Sequence, residues 1–538
     1  MSNPGDTLPD VADLNRFVAE GRLVQAAALG EALVARRPSD PAAQDGLGVA
    51  LFGLGRLDAA EAAFRAAIDL APAVAGPRRN LAMVLASQER WAEAEAAFAR
   101  ALALDSRRAD LWAPAGRVLA MLARKDEAIA AYRAALALGP STADVLFDLG
   151  NLLAERHEYD EAEALYRQAL HLSPDYAAVW NNLACLTKET ALRTEPPDLA
   201  RLREADAQFA RAAELSPNEP EVTFNRAMSL LALGDLPAGF AAYERRWDRA
   251  DFPARFEERP RWRGEPIEGR TILLHWEQGF GDTMLAVRFA DLLKRRGARV
   301  MALVQDPLRA LLSRTPGVDR WLASDDLIPP FDYHAPMMSL GGLLGVTLDE
   351  LPGRYPYIIA DPARIGRWAD RLSTYQGLKV GVVWRGNPGQ ARDGDRSLPL
   401  EALAPLTGIP DVALFSLQKG VDESPSGPVG SALIDLAPEL TDFAETAAAL
   451  ANLDLLISCC TSVANLAGAM GRPTWCLVSH APDWRWMPGR TDSPWYPSIT
   501  VYRQHRPADW NEVVDRVAVD LTDLSRRPAS ASSPPWSA

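Results

Sequence analysis

The sequence predicts a two-part architecture: an N-terminal all-α solenoid of helical repeats, followed by a pair of doubly wound α/β halves. Two patterns predict it. Small, aromatic and proline residues recur every 34 positions in the first half, and short apolar runs alternate with helical segments from Thr271 onwards. The length of 538 residues agrees with this division, because it is several times the size of an ordinary domain.

Four kinds of position share the 34-residue step of the first half. Small residues let two helices approach closely, an aromatic ring fills the space beside them, and proline ends a helix, so each unit is predicted to be a helix-turn-helix. The aromatic positions are Phe64, Phe98, Tyr132 and Tyr166, each preceded four residues earlier by Ala60, Ala94, Ala128 or Ala162; the small residues are Gly48, Ala82, Gly116, Gly150 and Ala184; the prolines are Pro38, Pro72, Pro140 and Pro174.

This pattern resembles the tetratricopeptide repeat family, whose small-residue, Ala-x3-Phe and proline positions are met across about residues 41–250. A polar insertion near residues 190–204 lengthens the step once, and the register returns with Tyr243. A degenerate first repeat fits residues 11–40, so we count about seven repeats over residues 11–250. The resemblance implies a groove that binds a protein segment and has no chemistry of its own.

The second half reads as alternating strands and helices. A βαβ unit begins with Thr271, a Gly-rich turn and a helix over residues 283–297, and five further runs of strand character follow at 378–384, 412–418, 453–458, 473–479 and 499–504. We expect two Rossmann-type halves, at residues 268–360 and 376–524, with the ligand site in the cleft between them. The Ser-, Pro- and Ala-rich tail at 525–538 is predicted to be disordered.

Composition excludes several classes of protein. A net charge of −14 makes nucleic acid a poor partner, since the chain would repel a phosphate backbone. No run is long enough for a membrane span, and the first ten residues lack the basic and apolar regions of a signal peptide. Four unevenly spaced cysteines do not make a disulfide framework, so the sequence favours a cytoplasmic protein.

Two stretches near strand ends carry candidate chemistry. The turn from Glu277 to Thr283 contains Gly279, Gly281 and Asp282, and such a turn either brings backbone amides to a ligand or is simply tight. It lacks the third glycine of a dinucleotide fingerprint, which disfavours a nicotinamide cofactor. After the next half begins, Asn387 is followed by Asp393, Asp395 and Arg396, where the arginine can reach an anion. The two aspartates resemble a metal-binding pair, although solvated turn residues are more typical of this pattern.

Two further stretches follow later strands. Gln418 and Lys419 stand before a glycine at a strand end, and Lys419 is one of only five lysines, which suggests phosphate binding rather than an ordinary surface position. Thr461 and Ser462 stand where a helix starts, so they either cap it or hold a pyrophosphate at its positive end. The loop beyond is dense in tryptophan and contains Arg485 and Arg490, a composition typical of loops that cover a ligand or an interface.

In this order, from Tyr243-Glu-Arg-Arg-Trp to Asp483-Trp-Arg-Trp, the stretches resemble the GT-B-like glycosyltransferase domain found behind tetratricopeptide repeats in bacteria. That domain is related to heptosyltransferases and, more distantly, to protein O-linked GlcNAc transferases, and the resemblance covers about residues 240–520. Within the group the chain is most similar to flagellin glycosyltransferases. These are thought to add a nonulosonic acid from its CMP form to flagellin held by the repeats.

The resemblance implies roles for particular residues. Asp282 matches the general base that takes the proton from the acceptor hydroxyl. Lys419, Thr461 and Ser462 match groups that hold the donor phosphate as it leaves. With no metal and no cofactor beyond the nucleotide-sugar, the donor is expected to contact Gly279, Gly281, Asn387, Arg396, Gln418, Lys419, Thr461, Ser462, Asn465, Arg485 and Arg490.

The chain departs from its relatives at two places in this last helix start. Cys460 replaces an aspartate and Asn465 replaces a histidine, so the donor or the activity differs from theirs. The cysteines are interpreted as buried small apolar residues, since nothing basic adjoins them. Three functions stay open from the sequence: a protein O-glycosyltransferase, a non-catalytic repeat adaptor with a degenerate nucleotide-binding domain, and a transferase that acts on a lipid or polysaccharide.

Overall fold

The computed structural model of the protein describes residues 9–252, 255–351, 355–390, 393–420 and 425–527. By its internal contacts the chain divides into two compact units, Met1–Leu183 and Ala184–Ala538. This division assigns the last repeats to the second unit, whereas the sequence suggested a boundary between residues 250 and 268. The tail predicted at 525–538 lies, from residue 528 onwards, outside the described residues.

The first unit consists of antiparallel helical hairpins. Asp10 and Asp40 begin two of the helices by accepting backbone N–H groups, and Pro41 occupies a first helical position, where no donor is lost. The helices are α1(Val11–Ala19), α2(Leu23–Arg36), α3(Pro41–Gly53), α4(Leu57–Leu70), α5(Ala75–Ser87), α6(Trp91–Leu104), α7(Ala109–Met121), α8(Lys125–Leu138), α9(Ala143–Glu155), α10(Tyr159–Leu172) and the first part of α11(Ala177–Leu192).

The periodic residues lie where the helices of a hairpin touch. A Cβ added at Gly48 would lie 2.5 Å from the Phe64 ring, and one at Gly150 would lie 2.7 Å from the Tyr166 ring. Phe64 is fully buried and Tyr166 nearly so. The small and aromatic positions are therefore complementary parts of one repeated core, which explains their common period.

The second unit begins with the last repeat helices, which continue from α11 as α12(Leu199–Leu215), α13(Pro220–Leu233) and α14(Leu236–Tyr243). Residues 193–198 of the predicted insertion form the turn before α12, and its flanks extend α11 and α12; Asp198 caps α12 by accepting the amides of Ala200 and Arg201. A short 3-10 helix, Glu244–Asp248, follows α14. Phe240 of α14 packs against Gly341 and Gly342, where added Cβ atoms would lie 2.6 and 2.8 Å from it. The helices α13 and α14 therefore share a core with the α/β region.

The first sheet has four parallel strands in the order β3-β2-β1-β4. Its strands are β1(Thr271–His275), β2(Arg299–Leu303), β3(Arg320–Leu322) and β4(Tyr333–Pro336), and the helices of this region are α15(Phe280–Ala286), α16(Ala290–Arg295), α17(Asp306–Leu312), α18(Leu340–Leu343) and α19(Pro362–Leu372). Further 3-10 helices span Val287–Phe289, Met337–Ser339 and Leu348–Glu350. The helical segment predicted at 283–297 is present over residues 280–295; it starts three residues earlier, at Phe280, and a 3-10 turn at Val287–Phe289, where Arg288 is buried, divides it into α15 and α16.

The second sheet has six parallel strands in the order β10-β9-β8-β5-β6-β7. They are β5(Leu378–Val383), β6(Val412–Ser416), β7(Ile434–Asp435), β8(Leu455–Cys459), β9(Thr474–Val478) and β10(Ile499–Arg503). The helices are α20(Asp393–Arg396), α21(Gly427–Ser431), α22(Phe443–Ala451), α23(Ser462–Ala469) and α24(Trp510–Ser525), and 3-10 helices span Leu400–Leu406, Ala437–Glu439 and Trp484–Trp486. The predicted sequence of a helical repeat solenoid followed by parallel α/β sheets is confirmed.

Strand order identifies one edge of each sheet as a place for ligands. Counted within the second sheet, the order is 3-2-1-4-5-6, and the first sheet has the order 3-2-1-4. In both sheets the second and third strands lie on one side of the first strand, and the fourth lies on its other side. The loops at the carboxyl ends of the first and fourth strands therefore leave a crevice between them. The relevant loops follow β1 and β4 in the first sheet and β5 and β8 in the second. Among the helices of the described ranges, none is both long and apolar enough to cross a membrane.

Candidate functional site

The Gly-rich turn after β1 brings Asp282 to the first turn of α15. Asp282 Oδ2 accepts the Gly279 amide at 3.0 Å, which fixes the carboxylate against the start of the helix. Gly281 faces α23, since a Cβ added there would lie 3.0 Å from Asn465 Nδ2. A glycine at position 281 therefore lets the two helix starts, one from each sheet, approach each other.

Arg485 links Asp282 to the tryptophan-rich loop of the second sheet. Its Nη2 donates to Asp282 Oδ1 at 2.6 Å, and its Nε donates to Asp483 Oδ1 at 2.7 Å. Burial lowers the pKa of Arg485, but the two carboxylates outweigh it and hold that pKa well above its ordinary value. The site thus contains a fixed positive charge beside the carboxylate predicted to be a base.

Asn465 lies in the first turn of α23 and is 3% exposed. Its Nδ2 donates to the Thr461 carbonyl at 2.9 Å. Its Oδ1 accepts the Tyr496 hydroxyl at 3.0 Å, and Arg485 Nη1 lies 3.5 Å away. Both ends of the amide are therefore used within the protein, so Asn465 holds Arg485 and the helix start together.

Thr461 is the N-cap of α23, as one of the two sequence interpretations predicted. Its Oγ1 accepts the Ala464 amide at 3.4 Å and lies 3.0 Å from Ser458 Oγ. Ser462 follows as the first helical residue and is partly exposed. Capping does not exclude an anion at this helix start, because an α-helix has four N-terminal amides without intrahelical partners.

Gln418 and Lys419 lie at the end of β6 and differ in exposure. Gln418 is 3% exposed, and its Oε1 accepts the amides of Trp384 and Arg385 at 3.1 and 2.9 Å. Its Nε2 donates to the Arg385 and Lys419 carbonyls, so Gln418 joins the turns after β5 and β6. Lys419 is exposed, and its Nζ donates to the Ala437 carbonyl at 3.0 Å.

A buried carboxylate, Asp393, lies among the residues that follow β5. Asp393 is 6% exposed, pairs with Arg396 Nε at 3.0 Å and accepts the Ser397 hydroxyl at 3.0 Å. For Asp393 the interpretation as a solvated turn residue is therefore wrong, because its charge is neutralised by Arg396 inside the fold; Asp395 is exposed. Asn387 is exposed and accepts the Gly389 amide at 3.0 Å.

Arg490 stands in a different setting from Arg485. It forms a two-point ion pair with Asp492, and both side chains are largely exposed, at 40% and 64%. The structure thus places Asp282, Gly279, Gly281, Thr461, Asn465 and Arg485 in one cluster of direct contacts. Within the described part of the chain, no group of three or more histidine, cysteine or acidic side chains is arranged to hold a metal ion.

Several residues of this region were missed from the sequence. Asp483 and Tyr496, which hold Arg485 and Asn465, lie in the tryptophan-rich loop; its composition was the only signal. A cavity of about 470 Å³ adjoins the end of β5, with Arg385, Ser397 and Glu401 among its lining residues. Ser397 ends the polar stretch in which Asn387 and Arg396 had been singled out, whereas Glu401, which follows it, carried no sequence signal.

Cys459 and Cys476 agree with their interpretation as buried small apolar residues, whereas Cys460 is partly exposed. Cys459 and Cys476 are fully buried, and burial raises the pKa of each thiol. Burial also raises the pKa of Cys460, whose Sγ accepts the Trp486 Nε1–H at 3.0 Å. A raised pKa keeps a thiol protonated near neutrality, so these residues lack the thiolate that a nucleophile requires.

Comparison with protein families directly supports the assignment of tetratricopeptide repeats to the first unit. Family models described as tetratricopeptide repeat match residues 14–75, 79–143 and 143–176. Similar solved structures include YrrB, titled "a TPR protein with an unusual peptide-binding site", at 23% identity, covering 34% of this chain and 91% of that one with a TM-score of 0.30. Another is PilF of Pseudomonas aeruginosa, at 19% identity, covering 40% of this chain and 92% of that one with a TM-score of 0.34.

One curated relative extends over more of the chain. Protein FlbA of Caulobacter vibrioides is 31% identical in an alignment of 360 residues that covers 60% of this chain and 60% of FlbA. The chain therefore spans about three fifths of the length of that relative. Together with the helical hairpins, the family matches show that the N-terminal part of the chain consists of tetratricopeptide repeats.

Proposed function

We propose that the protein is a metal-independent, inverting glycosyltransferase of the GT-B type, which transfers a sugar from a nucleotide-sugar to a serine or threonine hydroxyl of a protein. The observation that carries this proposal is the meeting of Asp282 with the start of α23. A carboxylate from one parallel sheet there faces a helix N-terminus and a buried arginine from the other. A group that can activate the acceptor hydroxyl and groups that can bind the donor phosphate thus lie next to each other.

The chemistry assigned to Asp282 is general base catalysis. The acceptor hydroxyl attacks the anomeric carbon of the donor, its proton passes to a carboxylate oxygen, and the bond from that carbon to the donor phosphate breaks. Asp282 Oδ1 accepts from Arg485 and Oδ2 accepts from the Gly279 amide. An ionised carboxylate has about four acceptor positions, so both contacts leave room for the acceptor hydroxyl.

The departing phosphate is assigned to α23 and Arg485. The N-terminal end of a helix carries partial positive charge, and Arg485 places a guanidinium, paired with Asp282 and Asp483, beside it. Charge of this kind, fixed before the reaction, stabilises the negative charge that the phosphate gains as the bond breaks. Lys419, an exposed ammonium at the end of β6, is assigned to the same donor, where it would neutralise a phosphate oxygen.

The acceptor is assigned to the repeats. Tetratricopeptide solenoids present extended surfaces for protein segments, and the last repeat helices share a core with the α/β region. The resemblance to flagellin glycosyltransferases makes flagellin the acceptor to test and a CMP-nonulosonate the donor to test.

A second candidate function is a non-catalytic adaptor, in which the repeats recruit a partner and the α/β part only binds a nucleotide. It is favoured by the substitutions at the helix start. Asn465 replaces an imidazole, and its amide is hydrogen-bonded at both ends within the protein, to Thr461 and Tyr496. Cys460 replaces a carboxylate with a protonated thiol. Under this alternative, Asp282 serves only as the partner of Arg485.

The experiment that tests the proposal is the intact mass of flagellin co-expressed with this protein and a CMP-nonulosonate supply. Whole sugar units added by the unmodified protein and lost with Asp282→Ala would support a protein glycosyltransferase with its base at residue 282. No added mass, with flagellin still co-purifying, would favour the adaptor. Sugar transfer that persists in Asp282→Ala would contradict the assignment of the base but not that of the reaction.

A further inference from the structure

The 3-10 helix after the last repeat contains an arginine, Arg246, whose side chain has no exposure to solvent. A guanidinium in that position must find all of its partners inside the protein. Its five N–H donors have five acceptors. Nε and Nη2 donate to Glu277 Oε2 and Oε1 at 2.8 and 2.9 Å, Nη2 also to Ser339 Oγ at 2.8 Å, and Nη1 to the Tyr243 carbonyl and Glu244 Oε1 at 3.0 and 2.8 Å.

Glu277, the main partner, opens the turn that ends in Asp282. Its side chain is 4% exposed, and its Oε1 also accepts the Met338 amide at 3.1 Å. The next turn residue is held from the same side, because Gln278 Nε2 donates to the Tyr243 hydroxyl. Two consecutive residues of the turn are therefore fixed by the end of the last repeat, through Arg246 and Tyr243.

The geometry of Arg246 is specific to a planar guanidinium. Its two parallel hydrogen bonds to Glu277 form a fork, and its plane lies over the rings of Tyr243 and Trp247, with the central carbon 4.2 and 4.4 Å from their centroids. A lysine ammonium keeps the charge but has neither the fork nor the flat face. Arg246→Lys therefore preserves the charge but removes the two parallel hydrogen bonds to Glu277 and the packing of a flat group against the two rings.

The turn transmits this geometry to Asp282 over a short distance. Gln305 Nε2 donates to the Gln278 carbonyl at 2.9 Å, and the Gly279 amide donates to Asp282 Oδ2 at 3.0 Å. Each residue from Glu277 to Gly279 is thus held by a named partner, and the carboxylate is tied to the last of them. A displacement of Glu277 must move the backbone to which the carboxylate is bonded.

We propose that Arg246 is a positioning residue of the transferase: its hydrogen bonds to Glu277 fix the turn that orients the Asp282 carboxylate towards the acceptor. The end of the last repeat is thereby a structural part of the reaction site. This inference rests on the proposed function. It adds that the repeats do more than hold the acceptor. Since a misplacement of about 1 Å at a reacting group costs up to about a hundredfold in rate, loosening these hydrogen bonds is expected to affect kcat strongly.

The test compares Arg246→Lys with Arg245→Lys as the matched control. Arg245 lies in the same 3-10 helix, but it is 42% exposed and pairs with Asp248 rather than with the turn. The measurements are kcat and KM for sugar transfer to flagellin, together with amide hydrogen exchange of the peptide that covers residues 277–283. For Arg246→Lys we expect kcat to fall tenfold to a hundredfold, KM for the donor to stay within about threefold, and exchange in that peptide to accelerate. Arg245→Lys is expected to match the wild type in all three.

A second variant separates positioning from folding. Replacing both members of the buried pair, Arg246→Met with Glu277→Met, removes both buried charges together. Glu244, which also loses its contact with Arg246, is 33% exposed and can be hydrated instead. We expect this double variant to melt cooperatively near the wild-type temperature while its kcat stays reduced and the turn exchanges faster. Wild-type kcat in a stable double variant would overturn the inference.

The remaining outcomes separate this inference from the function on which it rests. Transfer by the wild type with unchanged kcat or unchanged exchange in Arg246→Lys would overturn the positioning role and leave the transferase intact. No transfer by the wild type, with the donor and acceptor supplied, would overturn the proposed function and the positioning role with it. A fall in kcat that Arg245→Lys shares would also count against a role specific to Arg246.

Discussion

Replacing Asp282 with asparagine separates its proposed role as a base from its role in holding Arg485. The amide keeps the size of the carboxylate and one oxygen to accept a hydrogen bond, but it cannot take a proton from a hydroxyl. A positioned general base contributes about 10²- to 10⁴-fold to a rate, which is about 3–5 kcal/mol of activation free energy. We therefore expect kcat of Asp282→Asn to fall at least a hundredfold, with KM for the donor little changed.

The structure bounds the loss of stability that accompanies this change. Asp282 is 18% exposed and its partner Arg485 is 9% exposed, so the 2.6 Å contact is largely shielded from water. A hydrogen bond to a charged group contributes about 1.5–3 kcal/mol, and asparagine retains part of it. Even a protein of about 5 kcal/mol stability would stay more than nine-tenths folded after such a loss. Unfolding therefore cannot account for a hundredfold fall in rate.

The matched control is Asp483→Asn, which removes the other carboxylate of Arg485, held at 2.7 Å. It weakens the same guanidinium without touching the proposed base, so we expect a fall in kcat of less than tenfold. The assay is the initial rate of sugar addition to purified flagellin by intact mass, beside thermal melts of each variant. Equal impairment of the two variants, or an Asp282→Asn rate within tenfold of wild type, would refute the reasoning.

Two further predictions concern stability, and each has its own measurement. Gly468→Ala is expected to lower the free energy of unfolding by about 1–3 kcal/mol, because its new Cβ would lie 2.6 Å from the buried Tyr496 ring. Gly366→Ala is the control: its Cβ would have no atom within 4 Å, so the free energy of unfolding should stay unchanged or rise by up to about 1 kcal/mol. Urea unfolding of both variants measures the difference. His480 and an adjacent arginine lower the pKa of Glu189 to about 2, so this carboxylate stabilises the fold above about pH 4.5 and loses its contribution as the pH falls towards 2. Glu189→Gln should therefore be about 1–2 kcal/mol less stable than wild type at pH 6 and approach it only near pH 2, and a difference that does not change with pH would contradict this.

The repeats could be predicted because their core is local. Gly48 and Phe64 lie 16 positions apart in one hairpin, and Gly116–Tyr132 and Gly150–Tyr166 repeat the same contact, so sequence period and packing carry the same information. The longer strands of the sheets could also be predicted, because they are continuous apolar runs. Strands of two to four residues, such as β7 at Ile434–Asp435, could not, because they are too short to show alternation.

The candidate site shows where sequence reasoning stopped. It singled out Asp282, Asn465 and Arg485 one by one, since each stands near a predicted strand end or in an unusual loop. It had no means to pair Asp282 with Arg485, which are 203 positions apart, or to see that Gln418 binds backbone and that Asp393 is buried. Partners of this kind depend on how distant elements pack, and no local pattern records that.

By itself, the sequence determined the repeats, the parallel α/β character of the second half and the turns that carry polar side chains, because helix period, strand length and glycine placement are properties of neighbouring residues. Only the tertiary structure decided which of those side chains meet. It bound Arg246 of the last repeat to Glu277 and closed Arg485 onto Asp282. The physical reason is that a buried charge must find its partner wherever the fold brings one within about 3 Å, whatever the distance along the chain.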